Sequence, residues 1–258
     1  MKIRKYFFTM IITVCLLFSG IVVYVGAETT LTVDEIMDKV EEMSPDYTTQ
    51  KTISEMILID EEGNEEVREM IMFSQEGEDG KSSILMRFLS PKSQKGIAIL
   101  SVNDGEKIHF YFPAYGRARL MAGGDEFAGT GLSYEDMSMD YKDKDYEKNL
   151  LEETDSEYII EVFPSEEDAS YEKIILHIDK KNFYAKKVEF YETINELTKI
   201  LTINKIELDD KGKVTPMEIE FTDIAENQKT KIVMKEIEYD IELPSGFFST
   251  RTLLKPTL

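Results

Sequence analysis

The sequence predicts a mainly β fold: a large curved antiparallel sheet or open barrel, with one or two short α-helices. Three observations carry that expectation. From Thr49 onward, apolar residues recur with period two over roughly a dozen short segments. Gly-, Asn- and Asp-containing turns separate most of the segments, so hairpins rather than helical crossovers join them. The alternation also leaves one dry and one wet face. Met217, Ile219 and Phe221 oppose Glu218 and Glu220, while Val188 and Phe190 oppose Lys187 and Glu189. A sheet of that length with one dry face must curl on itself or be covered.

A helix precedes the sheet. Thr32 with Glu35 three residues later forms a capping-box pattern. Ile36, Met37, Val40 and Met43 share one face, and Ser44-Pro45 ends the helix because the residue before proline avoids the helical region. Strands are expected over 49–60 and 65–74, joined by Glu61-Glu62-Gly63-Asn64. Those over 82–89, 96–102 and 107–112 follow, the last two joined by Asn103-Asp104-Gly105. Further strands are expected over 158–163, 171–179, 185–192, 199–208, 214–222 and 230–239, with turns at Lys181-Asn182 and Asp210-Lys211-Gly212. Between 121 and 146 the alternation lapses. Gly123, Gly124, Gly129 and Gly131 predict a loop there, and Ser133 is placed to cap a short helix over 134–139. Long loops inside compact domains are commonly lids or binding loops. No repeat, linker or boundary divides the chain, so residues 28–258 read as one domain.

The N-terminus carries Lys2, Arg4 and Lys5, an apolar run over 6–25, and Val25-Gly26-Ala27 before Glu28. That is the pattern of a secretory signal over 1–27. An uncleaved anchor is the rival reading, because the run is about as long as a membrane span. The expected location is outside the cytoplasm, in the periplasm or elsewhere in the cell envelope. Cys15, the single cysteine, lies inside the run, so the mature chain has no disulfide. The net charge of −21 argues against nucleic acid as a partner. It also disfavours adsorption to anionic lipid surfaces. Its ordinary meaning is solubility, and a monomer is expected.

Catalytic chemistry finds little support. No nucleophile elbow, phosphate loop or dinucleotide fingerprint is present, and His109 and His177 are the only histidines. His109 alternates with Ile108 and Phe110, which suits an outward strand position. Asp60, Glu62, Asn64 and Glu66 alternate like calcium ligands, but Gly63 sits at the wrong place for an EF-hand loop. Glu135 and Asp136 are adjacent and would not face each other on a helix. Asp136, three after Ser133, suits a helix N-terminus. No catalytic residue, metal or cofactor is expected.

One stretch is more specific. Phe110-Tyr111-Phe112-Pro113 is followed by Arg117 and Arg119, a glycine-rich turn, and Ser133-Tyr134-Glu135-Asp136. Leu85-Met86-Arg87-Phe88-Leu89-Ser90-Pro91 and Lys95-Gly96-Ile97-Ala98-Ile99-Leu100 precede it, and Phe248-Ser249-Thr250-Arg251 closes the chain. In this order the chain resembles the outer membrane lipoprotein-sorting proteins, the LolA-like family, over most of its mature length. Phe110 stands where those proteins usually carry tryptophan, and Gly131-Leu132 replaces their aspartate-phenylalanine. The resemblance implies an incomplete barrel with helices over an apolar cavity. It also implies a non-enzymatic carrier or chaperone for lipid or lipoprotein acyl chains, supplied by an inner-membrane exporter or release complex.

On that basis Phe88, Ile97, Phe110, Phe112, Phe127, Leu132, Met137 and Met139 are candidate cavity residues. Arg117, Arg119, Tyr134, Glu135 and Asp136 are candidate lid contacts. Periodicity alone reads Phe110 and Phe112 equally well as ordinary sheet core. The arginines read equally as surface partners of the abundant acids. The thirteen methionines suit either a promiscuous apolar wall or gap filling in a core without tryptophan. A second class stays open: a membrane-tethered ligand-sensing or interaction domain with the same fold, held by the N-terminal run.

Overall fold

The computed structural model describes residues 31–77, 80–122, 124–133, 135–136, 146–165 and 169–255. The expected signal over 1–27, Tyr134, Met137 and Met139 lie outside the described residues. Thr32–Leu258 forms one compact unit.

Helix α1 (Val33–Glu42) starts with the expected box. The Thr32 hydroxyl accepts from the Glu35 N–H, and the Glu35 carboxylate accepts from the Thr32 N–H at 2.8 Å. Ile36, Met37 and Val40 form its buried stripe. Among the described residues thirteen strands follow: β1 (Thr49–Ile59), β2 (Glu65–Glu76), β3 (Ser82–Ser90), β4 (Ala98–Val102), β5 (Lys107–Phe112), β6 (Arg117–Met121), β7 (Glu147–Glu153), β8 (Glu157–Phe163), β9 (Lys173–Asp179), β10 (Ala185–Thr193), β11 (Glu196–Leu208), β12 (Val214–Asp223) and β13 (Gln228–Tyr239). A 3-10 turn (Pro113–Tyr115) joins β5 to β6, and α2 (Thr250–Leu253) ends the fold.

All thirteen strands lie in one antiparallel sheet of order β6-β5-β4-β3-β2-β1-β13-β12-β11-β10-β9-β8-β7. Two meanders run outward from the β1–β13 pair, and the sheet stays unclosed, with β6 and β7 as its edges. The expected mainly β, curved antiparallel architecture is the observed one. Strands β6 and β7 were not among the expected strands. As edges they are largely solvated on both faces, so they carry no dry-face period.

Cross-strand registers define the inner face. In one wing, Phe110, Ile99, Met86, Met72 and Thr52 face each other in succession. In the other, Ile160, Leu176, Val188, Leu201, Phe221 and Thr230 do so. Strands β3 and β4 are buried on both faces. Outside, Leu85, Ala98 and Leu100 pack against Leu253 of α2, with Phe247 and Phe248 beside them. Arg87, also outside, is 2% exposed and donates from Nη2 to the Leu253 carbonyl at 2.8 Å and from Nη1 to the Lys255 carbonyl. Burial pulls its pKa below the ordinary guanidinium value. Arg87→Met should cost roughly 2–3 kcal/mol, the worth of hydrogen bonds to a charged donor. Urea unfolding reads that loss, and hydrogen exchange should speed up over 247–255.

Candidate functional site

The segment that follows β6 crosses the open sheet as a strap. Its first turn is closed by the Ala122 N–H donating to Asp125 Oδ2 at 2.9 Å. The Phe127 N–H then donates to the Leu132 carbonyl at 2.8 Å, and the Thr130 hydroxyl to the Phe127 carbonyl at 2.6 Å. This tight loop needs left-handed backbone at Gly129 (φ 68°) and Gly131 (φ 69°), which glycine adopts without a Cβ penalty.

The loop aims one ring into the sheet. Phe127 is fully buried, stacked on Phe88 at 5.3 Å between centroids and edge-on to Phe110 at 5.7 Å. Arg68 of β2, also buried, donates from Nη1 to the Ala128 carbonyl at 2.7 Å and lies over the Phe88 ring. The Thr230 hydroxyl of β13 donates to the Thr130 carbonyl at 2.8 Å. One short segment thus touches β2, β3, β5 and β13 on the same face, so that face is the concave one.

Beyond the loop comes a second capping box. The Ser133 N–H donates to Asp136 Oδ2 at 2.7 Å, and the Asp136 N–H donates to Ser133 Oγ at 3.1 Å. Asp136 is fully buried and is held from the other wing. Lys199 Nζ of β11 lies 2.7 Å from Oδ2, and the Tyr171 hydroxyl donates to Oδ1. Burial, and then the charge of Asp136, push the Tyr171 phenol far above its ordinary pKa. Glu135 accepts from the Ser170 N–H at 3.3 Å. A Cβ on Gly124 would come within 2.8 Å of Ser170 Oγ, so the strap lies against the β8–β9 connection there and a larger residue would make that hydroxyl turn away. The strap therefore ties the two wings together.

A cavity of about 1450 Å³ lies toward the other end of the strands. Its walls include Val40 and Met43 from α1 and the residue after it, Tyr47, Ser74 of β2, Ile203 of β11 and Phe183.

Of the expected cavity residues, Phe88, Phe110 and Phe127 come together, and Phe112 lies 6.1 Å from Phe110. Ile97 and Leu132 are buried. None of the six lines the 1450 Å³ cavity. Arg117 and Arg119 are exposed on β6, with Arg119 over the Tyr115 ring at 4.8 Å. The arginines do not take Asp136; Lys199 and Tyr171 do, because β6 is an edge whereas β11 faces the strap across the concavity. Arg68, Thr230, Tyr171 and Lys199 were not singled out from sequence. A usable signal existed for two of them: Arg68 shares its strand face with Met70 and Met72, and Lys199 with Leu201 and Ile203, which places a charge at a dry-face position.

The histidines stand elsewhere. His177 shares the outer face with Glu157 and Glu189, at 3.4 and 3.5 Å. A hydrogen bond from Lys186 holds the Glu157 carboxyl below its ordinary pKa. Burial opposes the same shift at Glu189, where bonds from Lys187 and Tyr191 prevail. His109 faces Leu100 and Leu120, with its Nδ1 buried and unpartnered, so its expected outward position is on the covered outer side. Among the described residues, no group of three His, Cys, Asp or Glu side chains could hold a metal ion, and no helix is long and apolar enough to cross a membrane.

Solved structures share this fold. A domain from Vibrio parahaemolyticus assigned to the outer membrane lipoprotein-sorting proteins matches with a TM-score of 0.77 at 21% identity, over 86% of this chain and 98% of its own. A DUF1329 family protein from Desulfovibrio piger matches with a TM-score of 0.76 at 20% identity, over 85% and 97%. A LolA superfamily protein from Nitrosomonas europaea matches with a TM-score of 0.69 at 20% identity, over 85% and 98%. No curated protein matches the chain in sequence. The family model described as "Uncharacterized protein"-like matches residues 80–255, more than half of the chain. The chain belongs to that family.

Proposed function

We propose that this member of the family, built on the lipoprotein-sorting fold, is an exported, non-enzymatic carrier. It takes lipid or lipoprotein acyl chains onto the concave face of its sheet and passes them between components of the cell envelope. The observation that carries the reading is the strap. Among the described residues, one segment covers the apolar concave face there, through one aromatic plug and a few polar contacts. A cover held at so few points is one that a carrier could lift, and lifting it is part of this reading. With the strap lifted, Phe88, Ile97, Phe110, Phe112 and the newly uncovered side of Leu132 would meet the chains. Each methylene withdrawn from water contributes about 0.8 kcal/mol. Release requires that few fixed polar contacts hold the cargo. A partner that favours the open strap would then deliver the cargo by shifting an existing population. An inner-membrane exporter or release complex is the expected donor.

Native mass spectrometry with lipid extraction tests this on the 28–258 chain purified from its own envelope fraction; that chain contains the whole compact unit Thr32–Leu258. A stoichiometric lipid or acylated peptide, lost on Phe112→Asp, is the expected result. An empty protein that also refuses a fluorescent acyl probe would overturn the carrier reading.

A further inference from the structure

Between Pro91 and Gly124 the only acids are Asp104 and Glu106, although the chain holds 51 acidic residues among 258. The same stretch holds Lys92, Lys95, Lys107, Arg117 and Arg119. Asp104, Glu106 and Lys107 lie at the β4–β5 turn, at one end of the strands. The other four bases gather toward the opposite end. There the turn between β3 and β4 abuts the turn between β5 and β6: a Cβ on Gly96 would come within 3.1 Å of Pro113 Cγ. All four are exposed. Among the described residues, none of them is in an ion pair, although Lys51, Lys180, Lys199, Lys229 and others each find a carboxylate. In so acidic a chain, four neighbouring cations with no carboxylate partner among the described residues leave room for an external anion.

Apolar surface leads up to them. Registers place Arg117 opposite Phe112 and Arg119 opposite Phe110, so the arginines project from the concave face as those rings do. The rings form a row from the buried plug outward: Phe127 to Phe110 at 5.7 Å, Phe110 to Phe112 at 6.1 Å, and Phe112 to Tyr115 at 5.5 Å. Exposure rises from 0% at Phe127 to 61% at Tyr115, where the Arg119 guanidinium lies over the ring. A greasy path that ends in cations has the profile of an anionic amphiphile.

We infer that this rim binds the phosphate headgroup of an anionic phospholipid whose acyl chains lie along the Phe110–Phe112–Tyr115 row. The inference rests on the carrier reading and names its cargo class. Guanidinium forks pair phosphate oxygens two at a time, and the lysines add point charge. The net charge of −21 does not forbid this. Beyond a Debye length, about 8 Å at physiological salt, the distant acids are screened, and a headgroup in contact meets the local bases. The same net charge opposes adsorption of the whole protein to an anionic bilayer, so a single bound lipid is favoured over a membrane surface.

Calorimetric titration of the 28–258 chain with three soluble probes decides the matter: dihexanoylphosphatidylglycerol, dihexanoylglycerol and glycerol 3-phosphate. The phospholipid should bind about tenfold tighter than the phosphate-free lipid, and that preference should shrink in high salt. The exposed quadruple variant K92Q/K95Q/R117Q/R119Q should lose the preference and keep dihexanoylglycerol binding. Equal affinity for both lipids, or a preference that survives in the variant, would overturn the headgroup site and leave the carrier reading intact. Glycerol 3-phosphate binding as tightly as the phospholipid would overturn it in favour of a free-phosphate site. Failure of both lipids to bind would overturn the carrier reading and the inference together.

Discussion

Asp136→Ala should unlatch the strap and lower the stability of the folded chain by about 3 kcal/mol. The carboxylate is fully buried and accepts from three groups, Lys199, Tyr171 and the Ser133 N–H. Removing it leaves a cation, a phenol and an amide without their acceptor at once. Lys199 is 17% exposed on its side chain, so its ammonium can turn partly toward water, which keeps the cost near the low end for a broken buried pair. The partner substitution separates latch from packing. Asp136→Ala combined with Lys199→Met removes both charges and should recover part of the loss, because no unpaired ion remains. Urea unfolding measures the stabilities. Hydrogen exchange over 124–133 should accelerate in the single variant well before the sheet itself opens. A single variant within about 0.5 kcal/mol of the parent, with unchanged exchange, would show that the strap is held elsewhere.

Much of this fold was legible in the sequence because alternation reports a dry face; β3 and β4, buried on both faces, show instead as nearly continuous apolar runs. The edges did not report themselves. In β6 the run Arg117-Ala118-Arg119-Leu120 is mostly solvated, and β7 is exposed at nearly every position, so neither shows period two. Both capping boxes, Thr32 with Glu35 and Ser133 with Asp136, were readable because a cap depends only on spacing along the chain. The partners of Asp136 were not. Tyr171 and Lys199 lie 35 and 63 residues away in sequence, and only the return of the second meander to β1 brings them to the strap. The pairing of β13 with β1 is itself silent in the sequence, since alternation says which face is dry and not which strand is the neighbour. The aromatic residues show the same boundary. Phe110, Phe112, Phe88 and Phe127 were identifiable as apolar candidates, while their shared cluster depends on the loop folding back over β3 and β5.

Phe127→Ala separates a plug from a core residue, because it should move two observables in opposite directions. Stability should fall by roughly 3–4 kcal/mol, the usual cost of truncating a fully buried phenylalanine, and the stacking on Phe88 and edge-on packing against Phe110 disappear with the ring. The loop around it should keep its course, since its bonds to Arg68 and Thr230 come from the Ala128 and Thr130 carbonyls and not from the ring. A gap lined by Phe88 and Phe110 would then be left beneath an intact strap. If that concavity is where acyl chains lie, the native ring competes with cargo for it. Its removal should therefore tighten uptake of a fluorescent acyl probe by about tenfold, because a larger fraction of molecules is competent to bind. A ring that belonged only to the core would lower stability and leave uptake unchanged. That outcome would move the chains away from the strap and toward the cavity beside α1, where Val40, Met43 and Phe183 form the walls.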